Sequence, residues 1–123
     1  MIKEIIDTII RKDNLEITEK VWGQELLVVN NDKYCGKFLV LRANSQSSLH
    51  YHPKKMETFY AIKGVAQLEI EEKSCLLTPF ARPKTIMPGQ KHSFRGITDC
   101  VILEVSTPHS DEDVVRLIAS RRL

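Results

Sequence analysis

The stretch that decides the fold is LHYHPKKMETFYAIKG, residues 49–64. It places His50 and His52 two residues apart, and side chains two apart in a β-strand lie on the same face, so both imidazoles can approach one ion. Pro53 ends that strand and a short turn follows, so that Glu57, at the start of the next strand, can bring a carboxylate back to the same point. The stretch therefore predicts two strands, joined by a turn, that share three metal-binding side chains.

A fourth candidate ligand lies further along the chain, after the tight turn that Pro88 and Gly89 predict. His92 begins the run HSF and could reach the same site from another strand. Three imidazoles and one carboxylate suit one divalent transition metal, which could be Mn, Fe, Co, Ni or Zn, and they leave positions open for water or substrate. The remaining histidine, His109, follows Pro108 in a predicted loop and is expected to be a surface residue.

Between residues 25 and 105 the chain is a series of short apolar runs rich in β-branched and aromatic residues. Gly, Pro, Asn or Ser bounds each run, and the runs recur about every ten residues. Short strands with turn residues between them and no intervening helix are typical of a sandwich or closed barrel. The pattern predicts an all-β core formed by the runs ELLVVN, GKFLVLRA, ETFYAIKG, VAQLEIEE and CVILEVS.

Both ends of the chain have the spacing of amphipathic helices. Isoleucines recur at helical intervals over residues 2–12, with charged residues between them. Near the other end, Ser110 is a candidate helix N-cap followed by acidic residues of a first turn, and an apolar stripe runs over residues 114–118. We therefore expect a short N-terminal helix and a C-terminal helix that covers one surface of the barrel.

Length and charge limit the classes of function. The 123 residues suffice for a single domain, residues 1–123, and a net charge of only +2 gives no case for bulk binding of nucleic acid. Charged residues interrupt the N-terminal stretch every few positions, which excludes a membrane span or signal peptide there and leads us to expect a cytoplasmic protein. A small-molecule partner fits this composition better than a membrane or a nucleic acid does.

Two motifs resemble a known family. The spacing H-x-H-x4-E-x6-G over residues 50–64 resembles the first motif of the cupin superfamily, and PGQKH, residues 88–92, resembles the second. The resemblance covers about residues 36–106. It implies a cupin double-stranded β-helix, a jelly-roll barrel, with the metal held inside the barrel mouth by four side chains, namely His50, His52, Glu57 and His92.

The segments that flank this core are similar to those of the sugar-isomerase branch of the cupins, notably type II phosphomannose isomerases and D-lyxose isomerases. The similarity lies in KVWG, residues 20–23, and in residues 104–116. It implies a metal-dependent aldose–ketose isomerase acting through an enediolate, in which Glu57 is a ligand of the catalytic metal. Glu104 is the candidate base, because a carboxylate in the apolar run VILEVS is out of place unless it lies in the lumen or at a solvent-facing strand end.

Four cations are candidates to bind a phosphate or carboxylate of the substrate. They are Lys54, Lys84, Lys91 and Arg95. Three other classes stay open at this point: an Fe(II) dioxygenase, a non-catalytic metal-containing sugar- or metabolite-binding protein, and a protein with a purely structural metal. A homodimer is also expected, because a small barrel leaves edge strands and apolar faces for a partner to cover, and the N-terminal isoleucines are candidates for that contact.

Overall fold

The structure, a computed structural model, describes residues 14–123, which form β-strands joined by turns and loops. No α-helix occurs in this part of the chain, and none of its helical turns is long and apolar enough to cross a membrane. The strands are β1 (Glu16–Lys20), β2 (Gly23–Asn30), β3 (Cys35–Leu41), β4 (Ser45–Gln46), β5 (Leu49–Tyr51), β6 (Glu57–Lys63), β7 (Ala66–Ile70), β8 (Lys73–Leu77), β9 (Lys84–Ile86), β10 (His92–Gly96), β11 (Cys100–Ser106), β12 (Val115–Ile118) and β13 (Arg121–Arg122).

These strands form two antiparallel sheets. The first has six strands in the order β1-β2-β3-β11-β6-β9. The second follows the order β12-β5-β10-β4-β13, and β7 joins it by pairing with β10 and carries β8 at its edge. Strands β3 and β11 are neighbours in the sheet although they are far apart in the sequence. The sheets are therefore formed by pairing between distant segments and not only by hairpins of consecutive strands. The predicted all-β class is confirmed.

An apolar core fills the space between the sheets. Strand β6 shows how the sequence sets it: Glu57, Phe59 and Ala61 are buried while Thr58 and Tyr60 point outward, the alternation expected of a strand with one buried face. The core of buried residues comprises Trp22, Leu39, Leu41, Phe59, Ala61, Ala66, Leu68, Leu77, Ile86, Phe94, Cys100 and Ile102. At about 25 cal/mol per Å² of buried apolar surface, this cluster supplies the main stabilising term of the fold.

The predicted C-terminal helix is wrong. Residues 115–118 form β12, which pairs with β5 through Val115 opposite Tyr51 and Arg116 opposite His50. The apolar spacing of this segment fits either structure, and two physical factors favour the strand: its residues are mostly branched, and β5 offers an edge to which they hydrogen-bond. The predicted N-terminal helix, residues 2–12, lies outside the described residues.

Candidate metal centre

Strand pairing brings three histidines together. His50 of β5 lies directly opposite His92 of β10, and the centroids of their rings are 4.4 Å apart. His52 follows β5 by one residue, and its ring centroid is 5.0 Å from that of His50. One ring nitrogen of each histidine lies within 4.8 Å of the other two. The spacing read from the sequence therefore corresponds to a real cluster that could hold one metal ion.

Backbone carbonyls orient all three imidazoles. Each Nδ1 lies within hydrogen-bond distance of a main-chain oxygen, at 2.9 Å for His50 and His92 and 2.7 Å for His52. An Nδ1–H group that donates to a carbonyl leaves Nε2 as the unprotonated atom, which is the form that binds a metal. The three accepting carbonyls belong to Ser48, Asp113 and Gln90.

Burial favours the neutral form of the cluster. Burial, together with the neighbouring imidazoles of His92 and His52, lowers the pKa of His50 to about 3. A metal ligand must be deprotonated, and protons compete with the ion for the same lone pair. His50 is therefore already in its ligand form at neutral pH.

Glu57 reaches the same cluster from the opposite sheet. Its side chain is buried, and Oε2 lies 3.2 Å from Nε2 of His52 and 3.0 Å from Nε2 of His92. Burial by itself raises the pKa of Glu57, but the polar groups around it, among them the Lys55 ammonium, lower it overall, so the carboxyl group is ionised. This placement agrees with the expectation from the sequence that Glu57, at the start of the strand after the turn, lies close to the histidines.

Two buried atoms of the cluster lack a hydrogen bond of suitable geometry: Oε2 of Glu57 and Nε2 of His92. Such a buried polar atom costs about 1–3 kcal/mol unless something pairs with it. Two ligands at about 2.1 Å from one ion and at right angles are about 3.0 Å apart, close to the separation of these atoms. The residues present therefore fit a divalent metal, and three nitrogens with one oxygen suit several first-row ions.

The cluster opens into a cavity of about 780 Å³ between the sheets. Glu104 of β11 lines this cavity with its side chain only 5% exposed. Burial raises the pKa of Glu104, and the nearby Lys55 ammonium offsets only part of that rise. The cavity thus holds a second buried carboxylate besides the one in the histidine cluster.

Lys55 is a buried residue of this cavity that the sequence interpretation missed. Its ammonium lies 3.2 Å from Oε2 of Glu104 and 3.5 Å from Oε1 of Glu57. Burial lowers the pKa of Lys55, but the two carboxylates raise it overall, so the group stays charged. One signal could have identified it: Lys55 stands two residues before Glu57, in step with the buried positions of β6.

His109 also lines the cavity, whereas the sequence pattern placed it on the surface. Its Nδ1 lies 3.3 Å from the Lys55 ammonium and its Nε2 lies 3.0 Å from the exposed Asp111 carboxylate. The Asn30 amide fixes the main chain here, donating to the His109 carbonyl and accepting from the His109 N–H, both at 3.0 Å. The loop before β12 is thereby held at the cavity mouth.

The four cations predicted to bind a substrate phosphate or carboxylate lie elsewhere. None of them lines the large cavity. Lys54, Lys91 and Arg95 are exposed and Lys84 is half-buried, and Arg95 borders a separate surface groove of about 220 Å³. The cations that do line the cavity are Lys20, Lys37, Lys55 and Arg116.

The two sheets and the histidine cluster form a β-barrel with a candidate metal centre, and several solved structures share this fold. KdgF from Halomonas sp. superposes with a TM-score of 0.73 at 13% identity, over 83% of this chain and 94% of that one. Streptomyces Pac13, a nucleoside dehydratase, gives a TM-score of 0.76 at 9% identity, over 89% of each chain. At these identities the likeness concerns the fold.

A third similar structure is larger. CapF, a capsular polysaccharide assembling protein from Staphylococcus aureus, gives a TM-score of 0.76 at 15% identity, over 85% of this chain but 32% of CapF. No protein-family model and no curated protein sequence matches this chain. The structural comparisons therefore support the barrel fold and do not extend to a sugar-isomerase branch.

Proposed function

We propose that this protein is a metal-dependent isomerase that interconverts an aldose and a ketose, as a free sugar or a sugar phosphate. One observation carries the proposal: Glu104, a buried carboxylate, lines the same cavity as the three-histidine cluster. A buried carboxylate is costly, and its presence beside a candidate metal centre is typical of a group that moves protons. A cavity of about 780 Å³ is large enough for a small sugar.

His50, His52, His92 and Glu57 would hold the metal ion. A divalent ion held there would supply Lewis-acid chemistry: by drawing electron density from the carbonyl of an open-chain sugar it would acidify the hydrogen on the neighbouring hydroxyl-bearing carbon. Trp22 packs edge-on against Phe94, with ring centroids 5.3 Å apart, and both rings line the cavity. These rings exclude water from one wall and give the sugar an apolar surface to lie against.

Glu104 would act as the base. Its carboxylate takes the proton from the hydroxyl-bearing carbon next to the carbonyl, the C–H electrons form the carbon–carbon double bond of the enediolate, and the carbonyl π electrons move onto the carbonyl oxygen. That oxygen takes up the proton that the neighbouring hydroxyl gives up, the hydroxyl oxygen becomes the new carbonyl oxygen, and the carboxyl group of Glu104 returns the carbon-bound proton to the former carbonyl carbon. The raised pKa of Glu104 supports this role, because a base is most effective when its pKa lies nearer the working pH. These proton transfers involve no net oxidation or reduction of the sugar.

A small-molecule partner is part of the proposal. A similar barrel, Streptomyces Pac13, has been solved with uridine, so this fold accommodates a ligand that contains a sugar. The charges that line the cavity are mixed in sign, which suits a polar molecule with many hydroxyl groups. We propose no nucleic-acid and no membrane partner, and the cytoplasm stays the location expected from the sequence.

The test follows proton exchange as well as product. The Mn²⁺-loaded protein is incubated in D2O with a panel of aldoses, ketoses and their phosphates, and deuterium at the carbon next to the carbonyl is measured by NMR. We expect exchange and interconversion for one group of sugars. Glu104→Gln is expected to bind Mn²⁺ as the wild type does and to lose a factor of about 100 or more in both rates. Glu112→Gln, which changes an exposed carboxylate, is the matched control.

Other results would contradict the isomerase proposal. Saturable sugar binding without exchange would favour a non-catalytic binding protein, and oxygen uptake dependent on Fe(II) would favour a dioxygenase. Full activity of the Glu104→Gln protein would contradict the proposed role of Glu104 as the base. It would not contradict the description of the fold.

We also propose a homodimer. Strands β1 and β12 lie at sheet edges, and nearly every residue in them is exposed. Exposed edges of this kind readily pair with another chain. The two edges have complementary charge, because β1 carries Glu16 and Glu19 whereas Arg116 lies in β12. Multi-angle light scattering at micromolar concentration is expected to give twice the chain mass, and a monomer would contradict the proposal.

A further inference from the structure

Lys55 is a buried charge that links both carboxylates of the cavity. A lysine ammonium has three N–H donors and no acceptor, so a buried lysine is satisfied only when three acceptors surround it. Lys55 has three such neighbours: Glu104 Oε2 at 3.2 Å, His109 Nδ1 at 3.3 Å and Glu57 Oε1 at 3.5 Å. Its side chain is 3% exposed, so these contacts replace almost all of its water.

Lys55 contacts a single oxygen of each of the two carboxylates. On Glu57 the ammonium faces Oε1, and Oε2 is left to face the imidazoles of His52 and His92. On Glu104 it binds Oε2, and none of residues 14–123 donates a hydrogen bond to the other oxygen, Oε1. Lys55 therefore contacts one oxygen of each carboxylate, and the second oxygen of Glu57 faces the histidine cluster.

We infer that Lys55 is a positioning residue, which orients the Glu57 carboxylate toward the metal-binding cluster and the Glu104 carboxylate toward the ligand. The inference rests on the proposed function for the task of Glu104 and goes beyond it in naming the group that sets the geometry. Lys55 acts through the two carboxylates. His109, its third neighbour, fixes the ammonium from the cavity mouth through a loop that Asn30 holds.

The neighbouring lysine provides a matched control. Lys54 has the same side chain and the same charge, but it is exposed, and within residues 14–123 its one hydrogen bond to a side chain is from its backbone N–H to Asp113 at 2.9 Å. Lys54→Met and Lys55→Met therefore make the same chemical change one residue apart, one in solvent and one in the cavity.

The first arm measures coupling in the metal-free protein. Free energies of unfolding are determined by urea titration for the wild type, Lys55→Met, Glu104→Gln and the double variant. We expect Lys55→Met to lower the free energy of unfolding strongly, because it leaves two buried carboxylates without their positive partner. We expect the double variant to be more stable than the sum of the two single losses predicts. Lys54→Met is expected to behave as the wild type. Additive losses, with no coupling between Lys55 and Glu104, would overturn the inference.

The second arm measures Ni²⁺ affinity by calorimetric titration. The double variant Lys55→Met with Glu104→Gln removes one positive and one negative charge together, so the local net charge is unchanged. A loss of affinity then reports the orientation of Glu57 rather than electrostatic repulsion. We expect the double variant to bind Ni²⁺ about tenfold more weakly, as for other groups that orient a ligand, and Glu104→Gln alone to bind it nearly as the wild type does. A double variant with wild-type affinity would overturn the orienting role.

A measurement on the wild type covers the case in which Lys55→Met does not fold. The ammonium of Lys55 is expected to give a ¹⁵N-detected signal protected from exchange with water, and that of Lys54 to exchange too fast to be seen. Two fast-exchanging ammonium groups would overturn the inference. Coupling in the first arm without turnover of any sugar would support the positioning role and would contradict the isomerase proposal alone.

Discussion

At the scale of single residues, the candidate metal centre depends on which nitrogen of each imidazole faces inward. The peptide carbonyls of Ser48, Gln90 and Asp113 accept from Nδ1, and a carbonyl cannot serve as a donor. These contacts fix the tautomers of His52 and His92 before any ion arrives, whereas His50 Nδ1 also lies 2.9 Å from the Ser48 hydroxyl, which can donate as well as accept. Preorganisation of this kind lowers the cost of binding, because the side chains lose little freedom when the ion binds.

We expect His52→Ala to weaken Mn²⁺, Ni²⁺ and Zn²⁺ binding at least a hundredfold while the protein stays folded. The variant removes one of three clustered nitrogens, and the apolar core lies elsewhere. Tyr51→Ala, at the adjacent position whose side chain points to the other face of the strand, is the control for local damage and is expected to keep the affinity. Calorimetric titration measures both, and equal affinities in His52→Ala and the wild type would exclude His52 as a ligand.

Residue spacing predicted that the three histidines lie close together, but it did not identify the cations of the cavity. Alternation in a strand has a period of two, so His50 and His52 had to share a face whatever the register. Lys54 and Lys55, in contrast, are the same residue at successive positions, and the one local signal that separates them is that Lys55 stands two residues before the buried Glu57. The Lys55 ammonium is stabilised by carboxylates distant in sequence, such as Glu104, which no local pattern reveals.

At the scale of elements, the segment after β11 shows how pairing overrides periodicity. Its apolar residues suit a helix face as well as a strand, but β12 hydrogen-bonds to β5. This pairing has a functional consequence, because the loop that precedes β12 brings the Asp113 carbonyl to His52 Nδ1 and the Asp113 carboxylate to the Lys54 N–H. A C-terminal helix would have required a different support for His52. Sequence alone could not show that a strand edge was available.

The turns between strands give a prediction with an internal control. Gly64 and Gly89 both adopt positive φ, +78° and +83°, but a Cβ on Gly64 would lie 2.1 Å from the Asp99 carbonyl oxygen, whereas one on Gly89 would meet nothing within 4 Å. We expect Gly64→Ala to lower the free energy of unfolding by about 3 kcal/mol or more, from strain and overlap together. Gly89→Ala is expected to lose about 1–2 kcal/mol, from backbone strain alone. Urea titration of the metal-free variants measures both values, and equal losses would contradict the packing argument.

At the scale of the whole molecule, the two sheets supply different halves of the site. The sheet containing β5 and β10 carries the imidazoles, and the six-stranded sheet carries the carboxylates of Glu57 and Glu104. The halves meet at the end of a core that contains no member of the histidine cluster. The relative position of the sheets therefore sets the geometry of the site, and the core, which needs no ion, sets the position of the sheets.

This division leads to the last prediction, which concerns heating with and without metal. A core held together by apolar burial should keep the chelator-treated protein folded, with one cooperative transition, because the ion contributes no part of that core. Binding to the folded state alone adds about 2.7 kcal/mol when free metal is a hundredfold above Kd, which raises Tm by roughly 10 °C in a chain of this size. Metal is expected not to raise the Tm of His52→Ala in this way, because the variant lacks one of the metal-binding side chains. Its apolar core is intact, so the metal-free variant is expected to stay folded. Scanning calorimetry with EDTA and with Mn²⁺ measures the three cases. A chelated protein without a transition would mean that the metal is structural, since a purely structural site contributes its binding energy to folding itself.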